Sequence, residues 1–413
     1  MLFFYILVLA APMPNHPLFG ATLIGISIIK WLGIASCACA LMHFPDRAIY
    51  FGPKMPQESG AFLALFGIAA LSYAALSRPE TISFQPMSSY TSFLLLFVVT
   101  TCLVDSTEKL YKTMLVALVG SAIAALYVIR EYQASGGLQV RPGYIAGDSN
   151  YFATCSLLAL PIAFCFARRE ESRTERFVCI ACGALILVAF TLASSRGGLV
   201  GLCIEIAYMI LRSGRSRRIA ILAAVILMPV LQFSPVSPLG RMLHPEYGDG
   251  LATQIRRDFW RVGFALIREH PLTGIGLGNF TSYSLSAAPG VAARHGMACN
   301  TFLEIAAELG VTGLLAYCWV SAAALYSAER LRAEGKRRKD VLLFYIGEAM
   351  QAGLLGFLGA AMFVSAEYQK PFWVMVALAA TSHSIQMQLS TQTRKLSPPL
   401  NSATAREYAS TTR

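Results

Sequence analysis

The sequence predicts an all-α polytopic membrane protein with about twelve transmembrane helices and one long loop carrying an amphipathic helix. Three observations lead there. Hydrophobic residues make up 55% of the 413 positions and charged residues only 14%, against roughly 25% charged in soluble domains. The apolar residues fall in successive runs near the length of a bilayer crossing. A single polar, Gly- and Pro-rich stretch, residues 234–297, interrupts them for any distance.

Residues 1–12 are apolar without a basic leader, so they read as a short retained span and not a cleaved signal. Pro12, Pro14 and Pro17 separate it from a run over 18–43 that contains Lys30 and is long enough for two half-spans. Further spans are expected at 60–76, 90–104, 108–130, 151–168, 176–193, 196–212, 217–233, 298–327, 341–364 and 371–389. The transmembrane domain thus runs over 1–389. The Ser-, Thr- and Pro-containing tail 390–413 reads as disordered and cytoplasmic.

A net charge of +11 is compatible with nucleic-acid binding, but its distribution is that of a membrane topology signal. With the N-terminus in the cytoplasm, clusters such as Arg168, Arg169, Arg173 and Arg176, and Arg330 to Lys339, fall inside. Roughly two thirds of the Lys and Arg residues are then cytoplasmic. No nucleic-acid partner is expected; membrane lipids are. The far, periplasmic side receives the loop 131–150, the turn Ser194-Ser195-Arg196-Gly197-Gly198, the long segment 234–297 and the turn 367–370. The ten cysteines lie in, or at the mouth of, apolar runs and offer no pair to bridge in the polar loops. Cys179-x-x-Cys182 lacks the partners a zinc site needs. No metal and no cofactor are expected, and no hydrolase elbow, metalloprotease helix or P-loop is present.

Chemistry is therefore sought among arginines and a few buried polar groups. From 251 to 269, Ile255, Phe259, Val262 and Leu266 recur at helical spacing, and Pro271 ends the pattern. Arg257, Arg261 and Arg268 occupy another face. That face is open to two readings: a solvated or lipid-anchoring surface, or a phosphate clamp built on the bidentate guanidinium fork. Arg196 begins a span, where a positive charge is unfavourable at the helix dipole and calls for an anionic partner, or snorkels to headgroups. Arg141, ahead of Asp148-Ser149-Asn150, is a third candidate phosphate contact. Ser149 or Asn150 reads as a helix cap, or Asn150 as a sugar-hydroxyl partner. The string Gly274-x-Gly276-x-Gly278 follows a helix and a proline, not a strand, so it reads as a tight turn and not a nucleotide loop. Cys299-Asn300 opens a span carrying Glu304 and Glu308 one turn apart; these, with Glu205, Glu348 and Lys30, are ionisable groups within spans, functional or ion-paired for packing.

In order along the chain, Ser195-Arg196-Gly197-Gly198, Arg256-x-x-x-Trp260, His270-Pro271-Leu272-Thr273-Gly274-Ile275-Gly276 and Asn300-x-Phe302-Leu303-Glu304 with Gly310-x-x-Gly313 resemble the O-antigen ligase and polymerase-like membrane glycosyltransferases. The resemblance implies a GT-C-like inner-membrane enzyme that needs no metal. Its donor would be a glycan on undecaprenyl diphosphate and its acceptor a glycan or lipid A–core hydroxyl on the periplasmic side. Arg196 and one or more of Arg256, Arg257 and Arg261 would hold the diphosphate. Ligases of this family carry His immediately before the Asn of the last motif; here Cys299 stands there, and a free thiol with an ordinary pKa near 8.5 is a poor base at neutral pH. Cys299, His295, Asn300 and Glu304 are the candidates for acid–base work, with His295 as a substitute for the missing imidazole. The cysteine shifts weight toward a repeat-unit polymerase or a divergent member. Outside enzymology, the alternatives are a transporter of lipid-linked glycan, for which no inverted repeat is evident, or an inactive accessory subunit.

Overall fold

The computed structural model describes residues 1–23, 26–42, 55–76, 84–136, 141–169, 172–212, 250–287 and 296–396. The expected span at 217–233, the start of the polar segment up to 249, His295 and the tail beyond 396 lie outside the described residues.

The described chain is helical apart from a two-residue ladder, β1 (Thr22–Leu23) with β2 (Ile26–Ser27). Its helices are α1 (Leu2–Ala10), α2 (Pro17–Gly20), α3 (Ile28–Leu41), α4 (Gln57–Leu76), α5 (Gln85–Leu103), α6 (Thr107–Ala134), α7 (Ser149–Phe166), α8 (Arg173–Ala193), α9 (Arg196–Arg212), α10 (Gly250–Glu269), α11 (Phe280–Ala287), α12 (Thr301–Arg338), α13 (Val341–Ala361) and α14 (Lys370–Leu396). Seven of them, α4 to α8, α12 and α13, are long and apolar enough to cross a bilayer. The expected first span is only a nine-residue helix. At 1.5 Å per residue it reaches roughly 14 Å, under half of a hydrocarbon core. The prolines that follow it, and the one-turn α2 with Pro17 at its first position, keep it from lengthening. The run 18–43 is likewise divided, leaving α3 at 14 residues.

The bundle closes around Trp373 of α14. Its ring stacks on Phe93 of α5 at 5.2 Å and meets Phe62 of α4 edge-on at 5.3 Å. Phe372 stacks on Phe357 of α13 at 4.8 Å. Offset and edge-to-face aromatic contacts of this kind add about 1 kcal/mol each beyond area burial. α13 is wedged between α7, α9 and α12. Small residues allow that approach, as expected where helices meet in a membrane: a Cβ on Gly201 would lie 2.5 Å from the Gly356 carbonyl oxygen.

α12 is broken near its start. Gly310 has φ 71 and ψ −175, and the turn 271–276 threads into the break. The Val311 N–H donates to the Pro271 carbonyl at 2.8 Å, and the Ile275 and Gly276 N–H groups donate to the Ala307 and Glu308 carbonyls at 2.9 Å. A Cβ at Gly310 would sit 2.2 Å from the Leu272 carbonyl oxygen, and one at Gly274 2.3 Å from that of Glu308. Glu308 completes the clasp by accepting from the N–H groups of Gly278 (2.9 Å) and Phe280 (3.1 Å). The glycine string is thus a backbone fastener between a polar turn and a membrane helix.

Candidate functional site

α10 is built as its periodicity predicts. Phe259, Gly263 and Leu266 are buried, Ile255 and Val262 half-buried, and Arg257, Arg261 and Arg268 exposed. Gly263 brings the helix against Leu303 of α12, where an added Cβ would meet the Leu303 side chain at 2.9 Å. That contact sets the helix's rotation. Arg256 and Trp260, one turn apart, are thereby turned along the body and not away from it.

Across from them stands the start of α9. Ser194 takes a left-handed conformation (φ 49) that ends α8. The Ser195 hydroxyl donates to Asn150 Oδ1 at 3.0 Å and accepts from the Gly198 N–H at 3.1 Å. Asn150 therefore orients the α9 cap, and the cap of α7 is Asp148, which accepts from the Asn150 N–H at 2.6 Å. The cap is one residue earlier than expected because Asp148 is extended while Ser149 is already helical. Arg196 is the first residue of α9.

Between the two helices lies an open cavity of about 390 Å³ lined by Arg196, Gly197 and Val200 of α9, Thr253, Arg256, Arg257 and Trp260 of α10, and Phe363 beyond α13. Three guanidinium side chains share this cavity, and among the described residues no acidic one lines it. An anion of the size of a diphosphate would meet planar forks from two sides and an indole at one wall. Arg261 does not line the cavity; its side chain is 81% exposed and pairs with Asp258 at 3.3 Å. Arg141, at φ 76, is half-buried in the loop ahead of α7 and does not line it either.

The segment entering α12 abuts the same cavity. The Trp260 indole N–H donates to the Ala298 carbonyl at 3.1 Å. On the other side of that residue, the Ala298 N–H donates to Glu304 Oε2 at 3.0 Å, which also accepts from the Ser365 hydroxyl. Cys299 follows in a left-handed conformation, φ 53, and its thiol lies beside the Arg256 guanidinium. Burial pushes the Cys299 thiol above its ordinary value; Arg256 pulls against that shift, and Glu304 and Asp148 add to it. Near neutral pH the group is a thiol, not a thiolate. Asn300 caps α12, its Oδ1 accepting from the Leu303 N–H at 3.1 Å. Glu304, 4% exposed, is committed to holding Ala298 and Ser365.

Residues 181–318 match the family model described as O-antigen ligase. That stretch of the chain is O-antigen ligase-like. No curated protein matches the chain. The ligase-like segment contains every residue lining the cavity except Phe363, and both halves of the glycine fastener. Together with the apolar helices it supports a membrane glycosyl-transfer role in surface polysaccharide biosynthesis.

Two contributors were not singled out from sequence. Phe363 belongs to the turn after α13, which reaches the site because Thr301 donates through both its N–H (3.1 Å) and hydroxyl (2.8 Å) to the Val364 carbonyl. Glu367, in the same turn, is buried. Burial, followed by the Glu304 carboxylate, holds it well above the usual carboxylate range and favours its neutral acid form. The sequence signal for Glu367 is its place in the turn 367–370 on the periplasmic side, whereas Phe363 falls inside the expected span 341–364.

Proposed function

We propose that this protein is a bacterial inner-membrane glycosyltransferase that moves a glycan from undecaprenyl diphosphate to a sugar hydroxyl on the periplasmic side. The observation that carries the reading is the convergence of Arg196, Arg256 and Arg257, from two helices distant in sequence, on one cavity. The acceptor oxygen attacks the anomeric carbon from the face opposite the leaving group. The bond from that carbon to the phosphate oxygen breaks, its electron pair departs with the lipid diphosphate, and the acceptor proton passes to water. Configuration inverts. The demand on the protein is to hold the charge gathering on the diphosphate, which preorganised cations do in place of a metal. Trp260 and Phe363 offer apolar walls against which the first sugar or isoprene packs.

The protonated thiol at 299 weighs on which member of the family this is. Because a diphosphate leaves readily, the acceptor gives up its proton late, and a strong base at 299 is dispensable. The departure from the His that ligases of the family carry at this position favours repeat-unit polymerisation or a divergent transfer over strict attachment to lipid A–core. The test is transfer by the full-length protein in vesicles supplied with a purified lipid-linked repeat unit. Substituting Arg196 or Arg256 by Ala should lower the rate by roughly 10²–10³-fold, as for loss of one preorganised donor. A ladder of products marks a polymerase and a single addition a ligase. Full transfer by both correctly inserted Ala variants overturns the clamp.

A further inference from the structure

Of the arginines of α10, Arg256 and Arg257 line the cavity and Arg261 and Arg268 do not. At 3.6 residues per turn, Arg261, Phe264 and Arg268 fall within an arc of roughly 60°. Arg256 and Trp260 lie to one side of that arc, toward the cavity, and Phe259 and Leu266 opposite it, in the core. On the outer arc Phe264 is 54% exposed between Arg261 and Arg268. Leu272, in the turn that follows, is 67% exposed.

That turn is fixed to a lipid-facing stripe. Val311, Leu315 and Trp319 are exposed at four-residue spacing along α12, one of the seven helices apolar enough to span the membrane. The Val311 N–H bonds the Pro271 carbonyl, and the Thr312 hydroxyl bonds that of Leu272 at 2.9 Å. The outer arc of α10 therefore runs directly onto the edge of the stripe, at the end of the span where hydrocarbon gives way to headgroups. An aromatic ring and a leucine flanked by guanidinium groups at that level form the composition of an interfacial helix.

We propose that the outer face of α10, through Arg261, Phe264 and Arg268, seats anionic phospholipid headgroups and so holds the helix at the bilayer surface while Arg256 remains turned to the cavity. The phosphates are held by Arg261, which exchanges or shares its exposed Asp258 contact, and by Arg268; Phe264 and Leu272 enter the acyl boundary. This reading is independent of what the cavity binds.

The test uses the full chain in nanodiscs of phosphatidylcholine alone or with about a third phosphatidylglycerol, read by hydrogen–deuterium exchange of peptides covering 257–272. Phosphatidylglycerol should slow exchange there several-fold. The slowing should vanish in the Arg261→Gln/Arg268→Gln protein and persist in the Arg261→Lys/Arg268→Lys protein, which also controls for folding. Inorganic phosphate added to phosphatidylcholine nanodiscs should not reproduce it. Exchange indifferent to lipid charge, an unchanged response in the double Gln variant, or slowing by inorganic phosphate alone overturns the proposal.

Discussion

Arg256 lies against the thiol of Cys299, so a residue of the cavity wall bears on the charge state of the residue that precedes the α12 cap. The guanidinium favours the thiolate, while burial outweighs it and keeps the group protonated. Alkylation of Cys299, followed by mass spectrometry of its peptide, should show a midpoint above that of an ordinary thiol. In the Arg256→Gln protein the midpoint should rise further, since the cation favouring the thiolate is gone. Cys299→Ser should keep transfer within a few-fold of wild type, because no proton is being taken by this position. A hundred-fold loss in Cys299→Ser would instead assign it the acceptor proton. An imidazole introduced by Cys299→His would be held neutral at pH 7 by burial and by the same cation, and transfer should be retained or increased.

Trp260 ties the cavity to that backbone. Its indole N–H is the donor to Ala298, whose own N–H is held by Glu304, so the left-handed Cys299 is over-determined from both directions. Trp260→Phe removes one hydrogen bond and keeps most of the packing. It should cost about 1 kcal/mol of stability, seen as a small fall in Tm in detergent, with a larger proportional fall in the rate of transfer. Equal, small effects on both would mean that Trp260 is packing alone.

How much of this was legible beforehand depended on whether the determinant was local. The membrane helices follow from runs of apolar residues, and α10 was expected over 251–269 and is found at 250–269 because Ile255, Phe259, Val262 and Leu266 keep helical period. That Arg256 and Arg257 line the cavity and Arg261 does not was not legible. Arg256 and Arg257 are separated by roughly 100° of rotation, and the rotation is set by the contact of Gly263 with Leu303, forty residues downstream. Grouping Arg261 with Arg257 by their i,i+4 spacing was sound for the helix face, yet of the two only Arg257 lines the cavity. The turn at Gly274 was recognised as a turn, but its function as a fastener depends on the break at Gly310, which resembles ordinary helix in sequence.

That fastener gives a sharp stability prediction. Gly310→Ala places a side chain at φ 71 and 2.2 Å from a carbonyl oxygen that is itself bonded to Thr312. Neither the backbone nor the turn can yield without losing the bonds to Pro271, Ile275 and Gly276. The loss should exceed about 3 kcal/mol, in the range of combined strain and broken hydrogen bonds, and the purified protein should be aggregated or have a Tm lowered by many degrees. Gly67→Ala in α4, where nothing lies within 4 Å of the added Cβ, should be neutral or slightly stabilising.

Glu367 supplies a prediction in pH. Its carboxyl is held well above the usual range by burial and then by Glu304. Below the unfolded pKa of about 4.3 the group is protonated in both states and adds no dependence. As pH rises past that value the unfolded chain ionises and the folded one does not, so folding loses up to about 1.4 kcal/mol per pH unit from this site until the folded pKa is reached. Glu367→Gln replaces the neutral acid by a neutral amide and abolishes that loss. The Tm of the Gln protein should therefore match wild type near pH 4 and exceed it increasingly toward pH 7, in detergent at constant ionic strength. A wild-type Tm that rises relative to Glu367→Gln over the same interval would mean that the carboxylate is ionised and paired in the folded protein, and that the turn carrying Phe363 to the cavity is held by charge.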